Sequence, residues 1–392
     1  MGDAVVDTER KNQAAQGTIV TDSPFGEDYT IARAMFLQAA ANQGATLEAF
    51  DHPELGPRGE PLATDIAWIG PADATRILVL ISGTHGIEGY CGSGCQVDWL
   101  RRGEAERLPA GGAVLLVHAL NPYGFAWSRR VTEDNVDLNR NWIDFSVAPP
   151  ENPGFDELVD IACPKEWSPT SASRARSALG AFAREHGRQA LVRALSGGQY
   201  KHPSGIFYGG DRPTWSRTTL TKIAHSRLSQ AAHVGIIDYH TGLGPVGFGD
   251  QLVSAGRNSL LHVRAQTWHG LAVTPVGGGA AAEAHVTGDL LGSLPGMLPH
   301  ALVTGIALEV GTVDAARVLE AVRADNWLHA HGDLDSDLGR AIKAEMRSVF
   351  YADCDLWRGM ALGQSLIASR QALAGLELAP ALSLASQSVR FL

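Results

Sequence analysis

Four apolar runs, rich in β-branched residues, set the limits on what this chain of 392 residues can fold into: Ile77–Ile81, Ala113–Leu120, Val234–Tyr239 and Gly305–Val310. A run with no polar side fits a strand buried on both faces, and such strands sit in parallel or mixed sheets covered by helices. The intervening stretches Gly92–Arg102, Ala172–Leu195, Leu220–Ala232 and Ser259–Leu271 carry apolar side chains at helical spacing. Strand and helix signals in alternation predict an α/β layered architecture with a mostly parallel or mixed central sheet. From Val313 onward the pattern changes to helices alone (Ala315–Asn326, Asp335–Val349, Trp357–Leu376). These read as helices packed on the same domain rather than as a second small one. Residues 1–25 are polar and read as an N-terminal arm, which leaves 26–392 as one domain.

The charge balance removes several classes of partner. With 32 Lys and Arg against 42 Asp and Glu the chain carries a formal −10, which disfavours a non-specific grip on nucleic acid or on anionic membrane. No apolar run reaches the length of a membrane span, and the first residues lack the basic and apolar regions of a secretory signal. Four scattered cysteines make no disulfide framework; Cys91 and Cys95, at helical spacing, read as small buried side chains. The expectation is a reduced, cytoplasmic protein acting on a small molecule or a peptide, its oligomeric state open.

Each apolar run ends in residues that can do chemistry. His85-Gly86-Ile87-Glu88 follows the first, and an imidazole and a carboxylate three residues apart can reach one divalent metal. Asn121-Pro122-Tyr123-Gly124, Arg129-Arg130 and Asp137-Leu138-Asn139-Arg140-Asn141-Trp142 follow the second. The third ends in Asp238-Tyr239-His240-Thr241-Gly242 and the fourth in Leu308-Glu309-Val310-Gly311. In open α/β sheets ligands bind beyond the carboxyl ends of the strands, so four such loops would meet. His85, Glu88 and His240 then make a two-histidine, one-carboxylate set with a fourth position open, the pattern of catalytic zinc. Glu309, a lone acid closing an apolar strand, fits the general base, with Arg130 as the group that polarises a carbonyl. Arg140 with Asn139 could clamp a carboxylate, and Asp137 could accept the second ring N–H of a ligating histidine.

His85-x-x-Glu88, the segment Val136–Trp142, His240 in Asp-Tyr-His-Thr-Gly, and Glu309 resemble, in this order, the zinc carboxypeptidase superfamily, which also holds the succinylglutamate desuccinylase and aspartoacylase deacylases. Asn-Pro-Tyr-Gly-Phe at 121–125 and Glu-Asp-Asn-Val-Asp-Leu-Asn-Arg-Asn at 133–141 are similar to an uncharacterised bacterial carboxypeptidase-like branch. The resemblance spans roughly residues 75 to 312. It implies a three-layer α/β/α fold of the phosphorylase/hydrolase-like kind, with a mixed sheet and extra C-terminal helices over 313–392. It implies one Zn²⁺ on His85, Glu88 and His240, and Glu309 as base and acid. Asp137 would orient the first histidine, and Asn139 and Arg140 would hold a terminal carboxylate. Arg130 is preferred over Arg129 for the oxyanion, and Tyr208 is a candidate for the substrate-binding tyrosine of the digestive enzymes. Thr241-Gly242 departs from the bulkier residues of those enzymes.

The implied reaction is hydrolysis of an amide beside a free carboxylate, in a C-terminal peptide residue or an N-acyl amino acid, by zinc-bound water with a glutamate base. Two alternatives stand beside it: a metal- or ligand-binding protein without catalysis, and a deacylase or esterase for small substrates lacking a free carboxylate. A serine hydrolase fits poorly, because Ser82 and Ser93 lack a Gly-x-Ser-x-Gly setting. Ala148–Thr170 and the glycine-containing Pro275–Leu298 read as long loops, the second a candidate lid, and both favour a restricted site.

Overall fold

The computed structural model describes residues 23–276 and 286–388, with side chains described to residue 378. Among these residues eight strands form one sheet: β1 (Thr46–Leu55), β2 (Pro61–Ile69), β3 (Arg76–Ile81), β4 (Gly112–His118), β5 (His233–Gly242), β6 (Gly249–Val253), β7 (Thr274–Pro275) and β8 (Leu302–Gly311). Their order is β1-β2-β4-β3-β5-β8-β6-β7. The four central strands, β4, β3, β5 and β8, run parallel. The β1–β2 hairpin on one side and β6 on the other pair antiparallel, so the sheet is mixed.

The layers follow from the two-residue period of a strand. In β3, Leu78 and Leu80 enter one core with Phe36, Trp99, Ala361, Ala368 and Ala372, from the helices Tyr29–Asn42, Gly89–Arg101 and Asp355–Ser388. Ile77, Val79 and Ile81 enter the other, with Leu220, Ile223 and Leu290 from the helices Trp215–Arg227 and Leu290–Met297. Both faces of β3 are therefore covered, which is why its sequence after Arg76 is an uninterrupted apolar run. The α/β/α expectation holds. The C-terminal helix Asp355–Ser388 packs along the sheet, Asp337–Phe350 reaches β5, and Ala315–His331 packs on Asp337–Phe350; the Trp357 indole N–H donates to the Gly311 carbonyl at the end of β8 (2.8 Å).

Several elements differ from expectation for local reasons. β1 was not foreseen because it is mostly exposed and carries no apolar run, and β2, though buried, was missed because Thr64 and Asp65 interrupt its apolar residues. The helix expected over 172–195 is two helices, Pro169–His186 and Arg188–Ser196, broken at Gly187, whose φ is +91°. The expected loop 148–170 contains the helix Pro153–Ala162, started by Asn152, whose side chain accepts the Phe155 N–H. In the expected lid, Leu290–Met297 is helical, and residues 277–285 lie outside the described ones. Of the expected arm, 1–22 also lie outside them, and Phe25 is buried with its ring 5.8 Å from that of Tyr351. No helix among the described residues is long and apolar enough to cross a membrane.

Candidate functional site

The parallel strands β3, β5 and β8 deliver their carboxyl ends to one edge, and the loop after β4 reaches the same place. Beyond β3 the chain turns through Gly83 (φ +68°) to His85 and a 3₁₀ turn, Gly86–Glu88, that leads into the helix at Gly89. The turn is pinned to the arginine segment: Gly86 N–H donates to Arg130 O (3.2 Å) and Ile87 N–H to Arg129 O (2.8 Å). Gly86 lies so close to Gly124 and Phe125 that a Cβ there would enter their backbone.

His85, Glu88 and His240 are all buried, and one donor atom from each lies within 4.8 Å of the others. His85 Nδ1 is 3.0 Å from Glu88 Oε1, and His240 Nδ1 is 2.9 Å from Glu88 Oε2. The other ring nitrogens face carboxylates: His85 Nε2 meets Asp137 Oδ1 at 3.2 Å and His240 Nε2 meets Asp238 Oδ2 at 2.8 Å. An ionised carboxylate only accepts, so each Nε2 carries a proton. Each Nδ1 then faces a Glu88 oxygen across a gap that needs a proton or a cation. Two imidazole nitrogens and a carboxylate converging in this way are a donor set suited to zinc, with the second nitrogens oriented as such ligands usually are. Burial alone would raise the Glu88 pKa, but the charge of His85 and the bonds from both imidazoles hold it well below the usual range. Burial would lower His240, and Asp238 and Glu88 hold it well above its ordinary value.

Asp137 and Arg130 complete this wall. Arg130 donates through Nε to Asp137 Oδ2 (3.0 Å) and through Nη1 to Glu88 Oε1 (3.2 Å), its side chain 16% exposed. Arg129 points elsewhere: Nε donates to Asp325 Oδ2 (3.1 Å) and Nη2 to Asn135 Oδ1 (3.0 Å). Glu309 pairs in register with His240 across β5 and β8, so the two side chains leave the same face. Its Oε1 accepts the Leu243 N–H (2.9 Å), and burial, with the charge of Glu88 next, pushes its carboxyl up to about 7.

Asn139 and Arg140 lie on the turn just after Asp137, with the Asn139 amide oxygen and the Arg140 guanidinium engaged. Asn139 Oδ1 accepts the Leu290 N–H (3.1 Å). Arg140 donates through Nε to Ser196 O (3.1 Å), through Nη1 to Asn139 O (2.8 Å), and through Nη2 to Ser196 O again. Tyr208 supplies its backbone carbonyl to the Asp137 N–H (2.8 Å), while its phenol has Asp211, Arg212 and Asp134 as charged neighbours.

Three groups escaped the sequence reading. Asp238 holds His240, and Thr84 Oγ1–H in turn donates to Asp238 Oδ1 (2.6 Å). The Asp-x-His spacing along a strand, which puts both on one face, was the available signal. The third is Phe207, whose ring lies against both Arg130 and Arg140; nothing in the sequence linked it to them. His118, read as a buried structural residue, bonds Ser93 Oγ (2.9 Å), and burial lowers its pKa to about 3.

The model of a family described as "Protein of unknown function (DUF2817)" matches residues 25–364. No curated protein sequence matches. Among solved structures, bovine thrombin-activatable fibrinolysis inhibitor, crystallised with a tick carboxypeptidase inhibitor, aligns over 91% of this chain and 99% of its own, with TM-score 0.50 and 9% identity. Carboxypeptidase A from Helicoverpa armigera aligns over 94% and 81% (TM-score 0.47, 12% identity). The murein-tripeptide amidase of Escherichia coli O157 aligns over 76% and 95% (TM-score 0.33, 16% identity). The likeness is one of fold, and the fold is carboxypeptidase-like.

Proposed function

The chain belongs to the DUF2817 family, and for this member we propose a zinc-dependent hydrolase that cleaves an amide bond beside a free carboxylate. The observation that carries the reading is the convergence of His85 Nδ1 and His240 Nδ1 on the Glu88 carboxylate, with each Nε2 engaged by an aspartate. His85, Glu88 and His240 would hold the ion. When bound, zinc supplies a Lewis acid for a carbonyl oxygen and lowers the pKa of water.

The chain's own groups divide the remaining work. Glu309, with Oε1 engaged by the Leu243 N–H, has Oε2 to take a proton from attacking water and return it to the leaving amine. Arg130, fixed by Asp137 and Glu88, bonds one of the proposed ligands directly and stabilises the oxyanion. Asn139 and Arg140 hold the substrate carboxylate. A second reading, a deacylase for substrates without a free carboxylate, is favoured by one observation: Nε, Nη1 and Nη2 of Arg140 already donate to backbone carbonyls.

The test measures bound metal, then turnover of C-terminal peptides and N-acyl amino acids, each as free acid and as capped amide, by wild type and Glu309→Gln. We expect about one zinc per chain and a loss of activity of roughly 10²–10⁴-fold in the variant. Absence of metal, or an active Glu309→Gln, overturns the mechanism. Equal turnover of acid and amide favours the second reading.

A further inference from the structure

Phe207 is partly buried, and its ring centroid is 5.6 Å from the guanidinium carbon of Arg130 and also 5.6 Å from that of Arg140. One aromatic ring thus serves two cations of like charge, and the two charged carbons can be no further apart than twice that distance. Guanidiniums this close in a buried setting repel, and a ring face, being negative, offsets the repulsion while giving each cation a flat surface to lie on.

The backbone at Phe207 has φ +53°, a conformation that is rare for a bulky side chain and costs free energy. Of the four non-glycine residues with positive φ among the described residues, three (Ser128, Asn135 and Phe207) lie on or against the arginine-bearing loop. The segment is fastened from several directions. Gln199 N–H donates to Phe207 O (3.2 Å), Asp137 N–H to Tyr208 O (2.8 Å), and Asn135 Nδ2–H to Pro203 O (2.9 Å) and Gly205 O (3.0 Å). The flanking Ile206 and Tyr208 are buried, and Ile206 anchors the loop in the main core, against which Phe207 also packs, so a replacement at 207 must keep apolar bulk.

We propose that Phe207 is a positioning residue of this site: its ring holds Arg130 and Arg140 at a set spacing, and so sets where the oxyanion and the carboxylate of one substrate are received. This rests on the roles proposed above for the two arginines. It makes the aromatic face, not the volume, the required property at position 207.

The test compares Phe207→Leu, which keeps apolar bulk without a ring, with Phe207→Tyr and Phe207→Trp, which keep the ring. In the first arm, which needs no substrate, folded protein is treated with phenylglyoxal and the modified arginines are mapped by mass spectrometry. Arg130 should react roughly tenfold faster in Phe207→Leu, as expected for loss of a cation–π contact, and at the wild-type rate in the Tyr and Trp variants; exposed Arg102 serves as the reference. In the second arm, Phe207→Leu should raise KM for free-carboxylate substrates roughly tenfold, with a smaller change for capped amides, and Tyr or Trp should restore it. A purely structural role would lower the thermal midpoint and kcat together and leave KM in place. Unchanged Arg130 reactivity in Phe207→Leu overturns the inference whether or not the wild type turns over the substrates. Turnover failing in all variants, with Arg130 reactivity changed as expected, overturns only the proposed reaction.

Discussion

Asp238 does for His240 what Asp137 does for His85, and the two carboxylates determine which nitrogen each imidazole presents to Glu88. Losing such a partner frees the ring to rotate and removes the tautomer bias, with typical costs of 10–100-fold in metal affinity. Asp238→Ala should weaken zinc binding by about that factor in competition with a chromophoric chelator. Asp238→Asn should cost less, because an amide oxygen still accepts the Nε2 proton. Wild-type affinity in Asp238→Ala would remove the orienting role. At this scale the sequence carried the residue types well: His85, Glu88, Asp137, His240 and Glu309 all come to one edge of the sheet. It did not show what each arginine touches, because Arg129 and Arg130 are adjacent in sequence and diverge only when the chain around them is folded.

At the scale of elements, the short turn Gly86–Glu88 does the positioning, since it joins the end of β3 to a helix while its N–H groups bond the arginine segment. Gly86 is there because the backbone of Gly124 leaves no room for a side chain. Gly86→Ala should destabilise the protein by about 1–3 kcal/mol, read as a lower urea midpoint at unchanged slope. A neutral substitution would mean that the turn is not held as tightly as described. Strands buried on both faces were legible because their composition is uniform. β1 and the break at Gly187 were not, because an exposed strand has no apolar signature and a helix end depends on its neighbours.

Across the whole molecule, the C-terminal helices are joined to the site through a buried charge cluster. Asp325 bonds Arg129 and Lys343, and the backbone carbonyl of Arg129 holds the Ile87 N–H beside Glu88. Burial would raise the Asp325 pKa, but Lys343 and Arg129 overcome it and hold the carboxyl below its ordinary value. A depressed carboxyl pKa stabilises the fold above the unfolded value of about 3.9, and that stability is lost as pH falls through the lower folded value. Asp325→Asn should therefore cost about 3–5 kcal/mol at pH 7, because buried Arg129 and half-buried Lys343 lose their anionic partner, and the gap to wild type should narrow below about pH 4. A pH-independent difference would show that charge is not what Asp325 contributes. Removal of residues 355–392 would strip Trp357, Ala361, Ala368 and Leu376 from the main core; circular dichroism and thermal melting of that shortened chain should show no cooperative unfolding.

The sequence by itself determined the layered α/β plan and the supply of imidazoles, carboxylates and cations at strand ends, since apolar periodicity and residue chemistry are local properties. Only the tertiary structure decided how those groups engage: Asp238 behind His240, Arg130 against Glu88 while Arg129 turns to Asp325, the Arg140 fork on backbone carbonyls, and Phe207 against two guanidiniums. The reason is physical. Those contacts join segments far apart in the chain, and their geometry follows from how the strands register and the loops cross, which no short stretch of residues encodes.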